Sequence, residues 1–182
     1  MSFPKLKKST APVAELEGGA YAATIRSISF AGNHNLGGRG LTPCCAIEFV
    51  VQNGFDETSV HRLYPWSIGV FNDPTTGERT PSALRRVIEG VIPSKVEEFD
   101  EGAAEEFPIE ILLGKPVTLT IEVKAGSNGG SFSNVVNVTS APEEQAISLT
   151  DEPFMFNGED RAAFRRLPDA IKAACRRGGI SL

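Results

Sequence analysis

Along the run TSVHRLYPW, Arg62, Tyr64 and Trp66 alternate with His61, Leu63 and Pro65. Side chains two residues apart in an extended chain share a face, so this spacing groups a guanidinium with two aromatic rings. Such a face suits flat heteroaromatic rings carried on a polyanion. Each base stacked on an aromatic ring is worth about 1–3 kcal/mol whatever its identity, while cations meet the phosphates. The competing use of Tyr64 and Trp66 is to fill a core, where large aromatics often go. Phe132, just after a glycine-rich turn, is a second stacking candidate with the same core alternative. Phe30, beside another glycine-rich stretch, is a third. Lys124, Lys115, Arg39 and Arg26 are the candidate phosphate contacts, although the default reading of each is a plain solvated charge.

Other chemistry finds less support. The stretch 32–42, GNHNLGGRGLT, has the glycines of a phosphate cradle but not the Gly-Lys-Ser/Thr ending, and no helical pattern follows it. It reads as a mobile loop between two strands, placed to close on a ligand. Cys44 and Cys45 are adjacent on a strand and face opposite ways, and Cys175 is far off. With no CxxC pair and two isolated histidines, no zinc ligand set emerges. No nucleophile elbow or carboxylate pair in an apolar setting appears, and the acidic run 95–110 reads as a solvated segment. No catalytic residue and no cofactor is expected. No apolar run approaches the roughly 20 residues that span a bilayer, and MSFPKLKKSTAP lacks the apolar core of a signal peptide. A reducing cytoplasm, without membrane association, is the expected location.

The elements that must position these residues follow from periodicity. After a basic arm over 1–17, Ala20 to Ala31 reads as a first strand, with Tyr21, Ala23 and Ile25 on one face and Ile28 and Phe30 on the other. That switch implies a bulge, or a coiled strand serving two sides of a barrel. Pro43 to Gln52 is a second strand, its core face Cys45, Ile47, Phe49 and Val51, with Glu48 and Gln52 marking the opposite face. Asn53-Gly54 signals a hairpin into a third strand, Thr58 to Trp66. Residues 67–79 read as a loop. Thr80 then caps a helix with Pro81 at its first position, and Ala83, Leu84, Val87, Ile88 and Val91 form its apolar stripe. A short helix is expected at 94–99. Val117, Leu119, Ile121 and Val123 alternate with Thr118, Thr120, Glu122 and Lys124, and after the turn 126–130 a last strand runs from Phe132 to Val138. The order β-β-β-α-β-β is that of the OB-fold, a five-stranded Greek-key barrel with a helix between strands 3 and 4. Evenly spaced strands also fit a sandwich, and the helix position favours the barrel. Residues 18–140 would form this domain. Residues 141–182 would add an acidic linker and a basic helix, kinked or split by Pro168 and stopped by Gly178-Gly179.

The formal charge of −5 is unevenly spread. Residues 95–112 carry −6 and residues 141–160 carry −6, whereas residues 161–182 carry +5 and the strand-rich parts are mildly basic. The plain expectation for the basic helix is a narrow apolar stripe packed on the barrel. It can also extend a nucleic-acid path, or dock on a neighbouring copy for self-association along DNA. The acidic segment could occupy a basic groove in competition with DNA.

Gly19-Ala20-Tyr21 leading into strand 1, Leu113-Gly114-Lys115 before strand 4, and Asn128-Gly129-Gly130 with Phe132, Asn134 and Val136 resemble the single-stranded DNA-binding proteins of tailed bacteriophages and prophages. The resemblance covers roughly residues 18–140. It implies an OB-fold, sequence-independent binding of single-stranded DNA in replication and recombination, no catalysis, and replication or recombination proteins as partners. Many such proteins end in an acidic tail with a terminal aromatic that recruits enzymes. Here the acidic aromatic element, Asp151-Glu152-Pro153-Phe154-Met155-Phe156, is internal and the terminus is basic. The alternative is a non-catalytic interaction or virion-assembly module, which the net negative charge favours.

Overall fold

The computed structural model describes residues 15–38, 40–53 and 55–182. Arg39 and the lysines of the arm, Lys5, Lys7 and Lys8, lie outside the described residues. The order is β1 (Gly19–His34), β2 (Thr42–Asn53), β3 (Asp56–Pro65), β4 (Val70–Asn72), β5 (Arg79–Pro81), α1 (Ala83–Val91), α2 (Pro93–Glu101), β6 (Pro116–Ala125), β7 (Ser131–Ser140), β8 (Phe154–Phe156), α3 (Arg161–Arg166) and α4 (Asp169–Arg177). The main sheet runs β3-β2-β1-β6-β7, all antiparallel, with β8 added parallel to β1. It is not closed into a barrel. Its edges β3 and β7 touch where Arg62 Nη1 donates to the Val135 carbonyl, without a backbone ladder between them.

β1 holds this sheet together. It pairs with β2 along most of its length, with β6 over 19–24 and with β8 over 27–29. Arg26 is the extra residue of a bulge between Ile25 and Ser27, as the spacing of the isoleucines predicts. The bulge does not send Ile25 and Ile28 to opposite sides, however. The inserted residue resets the alternation, and both are fully buried in the same core. β6 leaves β1 at this point: the Gly114 amide donates to the Ile25 carbonyl and the Ile25 amide to the Lys115 carbonyl.

That inner core gathers Ile47 and Phe49 of β2, Tyr64 of β3, Leu119 and Ile121 of β6, and Val135 and Val138 of β7. α1 closes it with Leu84, Val87, Ile88 and Val91, the stripe read from the sequence. Its start differs from expectation. Ser82 is the cap, accepting from the Arg85 amide, because Thr80 and Pro81 belong to β5, which pairs with β4 inside the stretch read as a loop. Val123 also differs. It is exposed, since β6 and β7 outrun the core beyond Ile121 and the tip projects into solvent.

A second core lies on the opposite face of the sheet. Phe154 and Phe156 of β8, Phe164, Leu167, Ile171 and Cys175 cover Ala31 and Ala46, with Leu63 against them. The stripe of the split carboxy-terminal helix therefore packs on the sheet, and the turn at Leu167 and Pro168 separates α3 from α4 as predicted. α4 is seated by backbone: the Asn33 amide donates to the Gly178 carbonyl at 2.9 Å. A Cβ at Gly178 would lie 1.9 Å from the Ala31 carbonyl oxygen, and one at Gly32 would lie 2.2 Å from that of Gly178. Only glycine allows this approach.

Burial on both sides explains why β2 reads as an almost unbroken apolar run. Every residue from Cys44 to Val51 is buried, and burial pushes the Cys45 thiol up to about 12. Glu48 is on the face opposite the inner core, as predicted, yet it is 0% exposed. Its carboxylate accepts from Arg26 Nη2, from Ser27 Oγ at 2.7 Å and from Ser59 Oγ at 2.6 Å. Removing one member of a buried ion pair strands the other charge, at about 3–5 kcal/mol. Glu48→Ala should therefore lower the unfolding free energy in urea by that amount. The double replacement Glu48→Leu with Arg26→Met should restore most of it, and a loss under about 1 kcal/mol in the single variant would show that the pair is dispensable.

Candidate functional site

β3 does not present its three predicted residues as one platform. Arg62 and Tyr64 share the inner face, and Tyr64 is 1% exposed, a core residue with no ring face free for stacking. Its hydroxyl has no hydrogen-bond partner among the described residues, and burial pushes the phenol well above its usual range. The Arg62 guanidinium lies 5.3 Å from the centre of the Tyr64 ring while reaching across to β7. Trp66 is one residue past the end of β3. Its amide donates to the Pro43 carbonyl at 2.8 Å, and its side chain is 45% exposed. Phe30 stands edge-on to it, the ring centres 6.4 Å apart at 87°. This pair, with His34 near the end of β1, borders the loop 35–41, of which Leu36–Gly38 is a single 3-10 turn.

The hairpin tip forms a second aromatic site. Gly126 and Gly130 close the turn, the Gly126 amide donating to the Gly130 carbonyl at 2.8 Å, with Gly129 at φ 79°. Lys124 pairs directly with Phe132 across β6 and β7. Both side chains are exposed, Phe132 by 48%. Directly opposed residues have Cβ atoms about 5 Å apart, so a ring face and an ammonium are presented together. The two aromatic sites sit at opposite ends of β1: Phe30 near its carboxy end, and the tip beyond the pairing of Gly19 with Ile121. They are separated by about 11 residues of strand, on the order of 30 Å if straight.

The remaining predicted cations differ in availability. Arg26 is committed to buried Glu48. Lys115 is partly exposed, with Glu143 of the acidic segment 4.0 Å away. Arg39 lies outside the described residues. The acidic segment itself runs over the sheet on its way to β8. The Ile147 amide donates to Thr24 Oγ1, and the Thr150 amide and hydroxyl donate to Glu57. A hollow of about 660 Å³ beside it is lined by Tyr21, Gln52 and residues 145–148 and contains no charged side chain.

Sequence reasoning did not show where α3 and α4 dock relative to Phe30. Phe30 sits beside Gly158 and Ile180, and the Cys175 thiol donates to the Phe30 carbonyl. Arg161, Arg165, Arg176 and Arg177 of these helices are exposed, so the cover of the sheet carries a basic outer surface. The one signal was the +5 charge of 161–182; nothing local told where it would dock. The acidic aromatic element is likewise structural: Phe154 and Phe156 are buried, and Arg166 lies 4.0 Å over the Phe154 ring.

These aromatics and cations are thus distributed over a mainly β protein rather than gathered in one pocket. Among the described residues no cluster of histidine, cysteine or carboxylate groups could hold a metal ion, and no helix is long and apolar enough to cross a membrane. Comparison with protein families, with curated proteins and with solved structures found no match.

His61 shares the covered face with Glu48. Burial holds its imidazole below the usual value; the Glu48 carboxylate opposes this and the Arg177 charge adds to it. A histidine with a lowered folded pKa stabilises the fold above its unfolded value, about 6.5, and this contribution is lost as pH falls below that value towards the folded one. Urea unfolding of the wild type should weaken between pH 7.5 and 5.5, by up to about 1.4 kcal/mol per pH unit for one proton. The fall should be shallower in His61→Gln, and equal slopes in the two proteins would remove His61 as its source.

Proposed function

We propose that this chain is a non-catalytic, sequence-independent single-stranded DNA-binding protein built on an opened OB-type barrel. The strand order β3-β2-β1-β6-β7, with helices between the third and fourth long strands and a coiled first strand shared by both halves, supports that architecture. In OB-folds, oligonucleotides meet the face of strands 2 and 3 and the loops after strands 1 and 4. Here α3, α4 and β8 cover that face, which leaves the two loop ends. The observation that carries the reading is the cross-strand pair Lys124–Phe132 at the second of them: an exposed ring with a cation directly opposite. Trp66 and Phe30 serve the other end, and the arginines of α3 and α4 supply cations beside them.

The resemblance to bacteriophage single-stranded DNA-binding proteins extends the reading to replication and recombination in a bacterial cytoplasm, with enzymes of those processes as partners. Self-association along DNA through α4 would have to use its arginine face, since its apolar stripe is buried. The alternative, an interaction or assembly module, draws on Phe55 and Phe71, both exposed.

Oligo-dT titrations separate the two. Binding at low salt should fall linearly in log–log form as salt rises, with a slope of about −0.7 per phosphate contact. Trp66→Ala and Phe132→Ala should each cost about 1–3 kcal/mol, without unfolding the protein. Trp66 is the sole tryptophan, so its emission should be quenched as DNA saturates. No binding at about 50 mM salt, where phosphate contacts remain strong, would falsify the reading.

A further inference from the structure

We infer that the open seam between β3 and β7 is a phosphate-binding site, and that it takes a backbone phosphate of a strand whose bases stack on Phe132. The seam forms a cleft of about 140 Å³, lined by Arg62 and Tyr64 of β3, Arg86 and Val87 of α1, and Val136 and Asn137 of β7. It has room for several waters. No lining residue is acidic, and among the described residues no carboxylate pairs with Arg62 or Arg86. The neighbouring arginine behaves differently: Arg85 is occupied by Glu89 and Asp100. Two arginines have therefore been left without counter-charges at one cleft.

Arg62 is also fixed in place. Nη1 donates to the Val135 carbonyl and the Tyr64 ring lies beside the guanidinium, so little side-chain freedom remains to be lost on binding. A guanidinium presents five donors in a rigid fork suited to phosphate oxygens. Asn137 adds an amide. Tyr64 brings a buried hydroxyl without a partner, a state that native proteins rarely leave unsatisfied and that a bound water or ligand oxygen would relieve. The cleft and Phe132 both belong to β7, a few residues apart, so a single strand crossing the tip can reach the seam.

The anion site stands apart from the reading above, but its place on a DNA path rests on that reading. The test follows side-chain NMR signals of Arg62 and Asn137 in the full chain. Inorganic phosphate is added first, against chloride and acetate at matched ionic strength, and oligo-dT second. Phosphate should shift these signals saturably, with acetate weaker. Arg86→Gln, an exposed helix position that should fold normally, should weaken phosphate about tenfold, the order expected for a charge-assisted hydrogen bond. The same variant should lower the salt slope of oligo-dT binding by about 0.7. Arg62→Lys, which keeps the charge and loses the fork, should weaken phosphate binding. Signals that respond to phosphate no more than to chloride would overturn the site, whether or not DNA binds. Phosphate binding at the seam, with oligo-dT affinity and salt slope unchanged in Arg86→Gln, would take the seam off the DNA path and leave the proposed function intact. Phosphate binding without any oligo-dT binding would keep the anion site and remove the single-strand reading.

Discussion

The extra residue at Arg26 is the constraint on which the rest of this structure depends. β1 has to pair with β2 along its length while giving one half of its other edge to β6 and the other half to β8. A regular strand would carry one face straight through. One inserted residue bends the strand and lets Ile25 and Ile28 face the same core three positions apart. It also turns a guanidinium towards the covered face. A charge there is tolerable only with a partner, and Glu48 of β2, with Ser27 and Ser59 around it, is that partner. The bulge, the buried ion pair and the cover of β8, α3 and α4 are therefore one device: none makes physical sense without the other two.

Much of this was legible in the residues. Alternation found the long strands to within a few positions, the stripe of α1 was read correctly, and Pro168 marked the split between α3 and α4. Each of those signals is local, a period or a backbone prohibition. What escaped depended on which surface meets which. Period two places Glu48 on the face away from the inner core but says nothing about what covers that face, and Glu48 is 0% exposed. Val123 keeps perfect alternation yet lies past the end of the core. β4 and β5, three residues each, are too short for any periodic signal. Ser82 rather than Thr80 caps α1 because the β4–β5 pairing claims Thr80 first.

The candidate site shows the same division. Arg62, Tyr64 and Trp66 do alternate, but the shared face points inward, and Trp66 is exposed because the strand ends before reaching it. Phe132 and Lys124 flank the hairpin tip in the sequence, and the register sets them directly opposite each other. Arg26 was read as a solvated cation or a phosphate contact, and the ion pair with Glu48 needs a contact 22 residues away that no local pattern encodes.

Covering the outer face changes what kind of binding surface this sheet can offer. A β-barrel groove concentrates its contacts on adjacent strands, where neighbouring side chains lie about 5 Å apart. Once β8, α3 and α4 occupy that face, the backbone contact between Gly178 and β1 and the apolar packing of Phe156, Phe164 and Ile171 make the cover part of the fold. It cannot lift without exposing a second core and the buried charges of Arg26 and Glu48. Any extended ligand must then meet the protein at separated points: the Trp66 rim, the Phe132 tip and the cations between and around them. Separated contacts tied to one flexible polymer act through effective concentration, each raising the local concentration for the next. A surface of that kind depends on several weak contacts together, which is how the proposed single strand would be held.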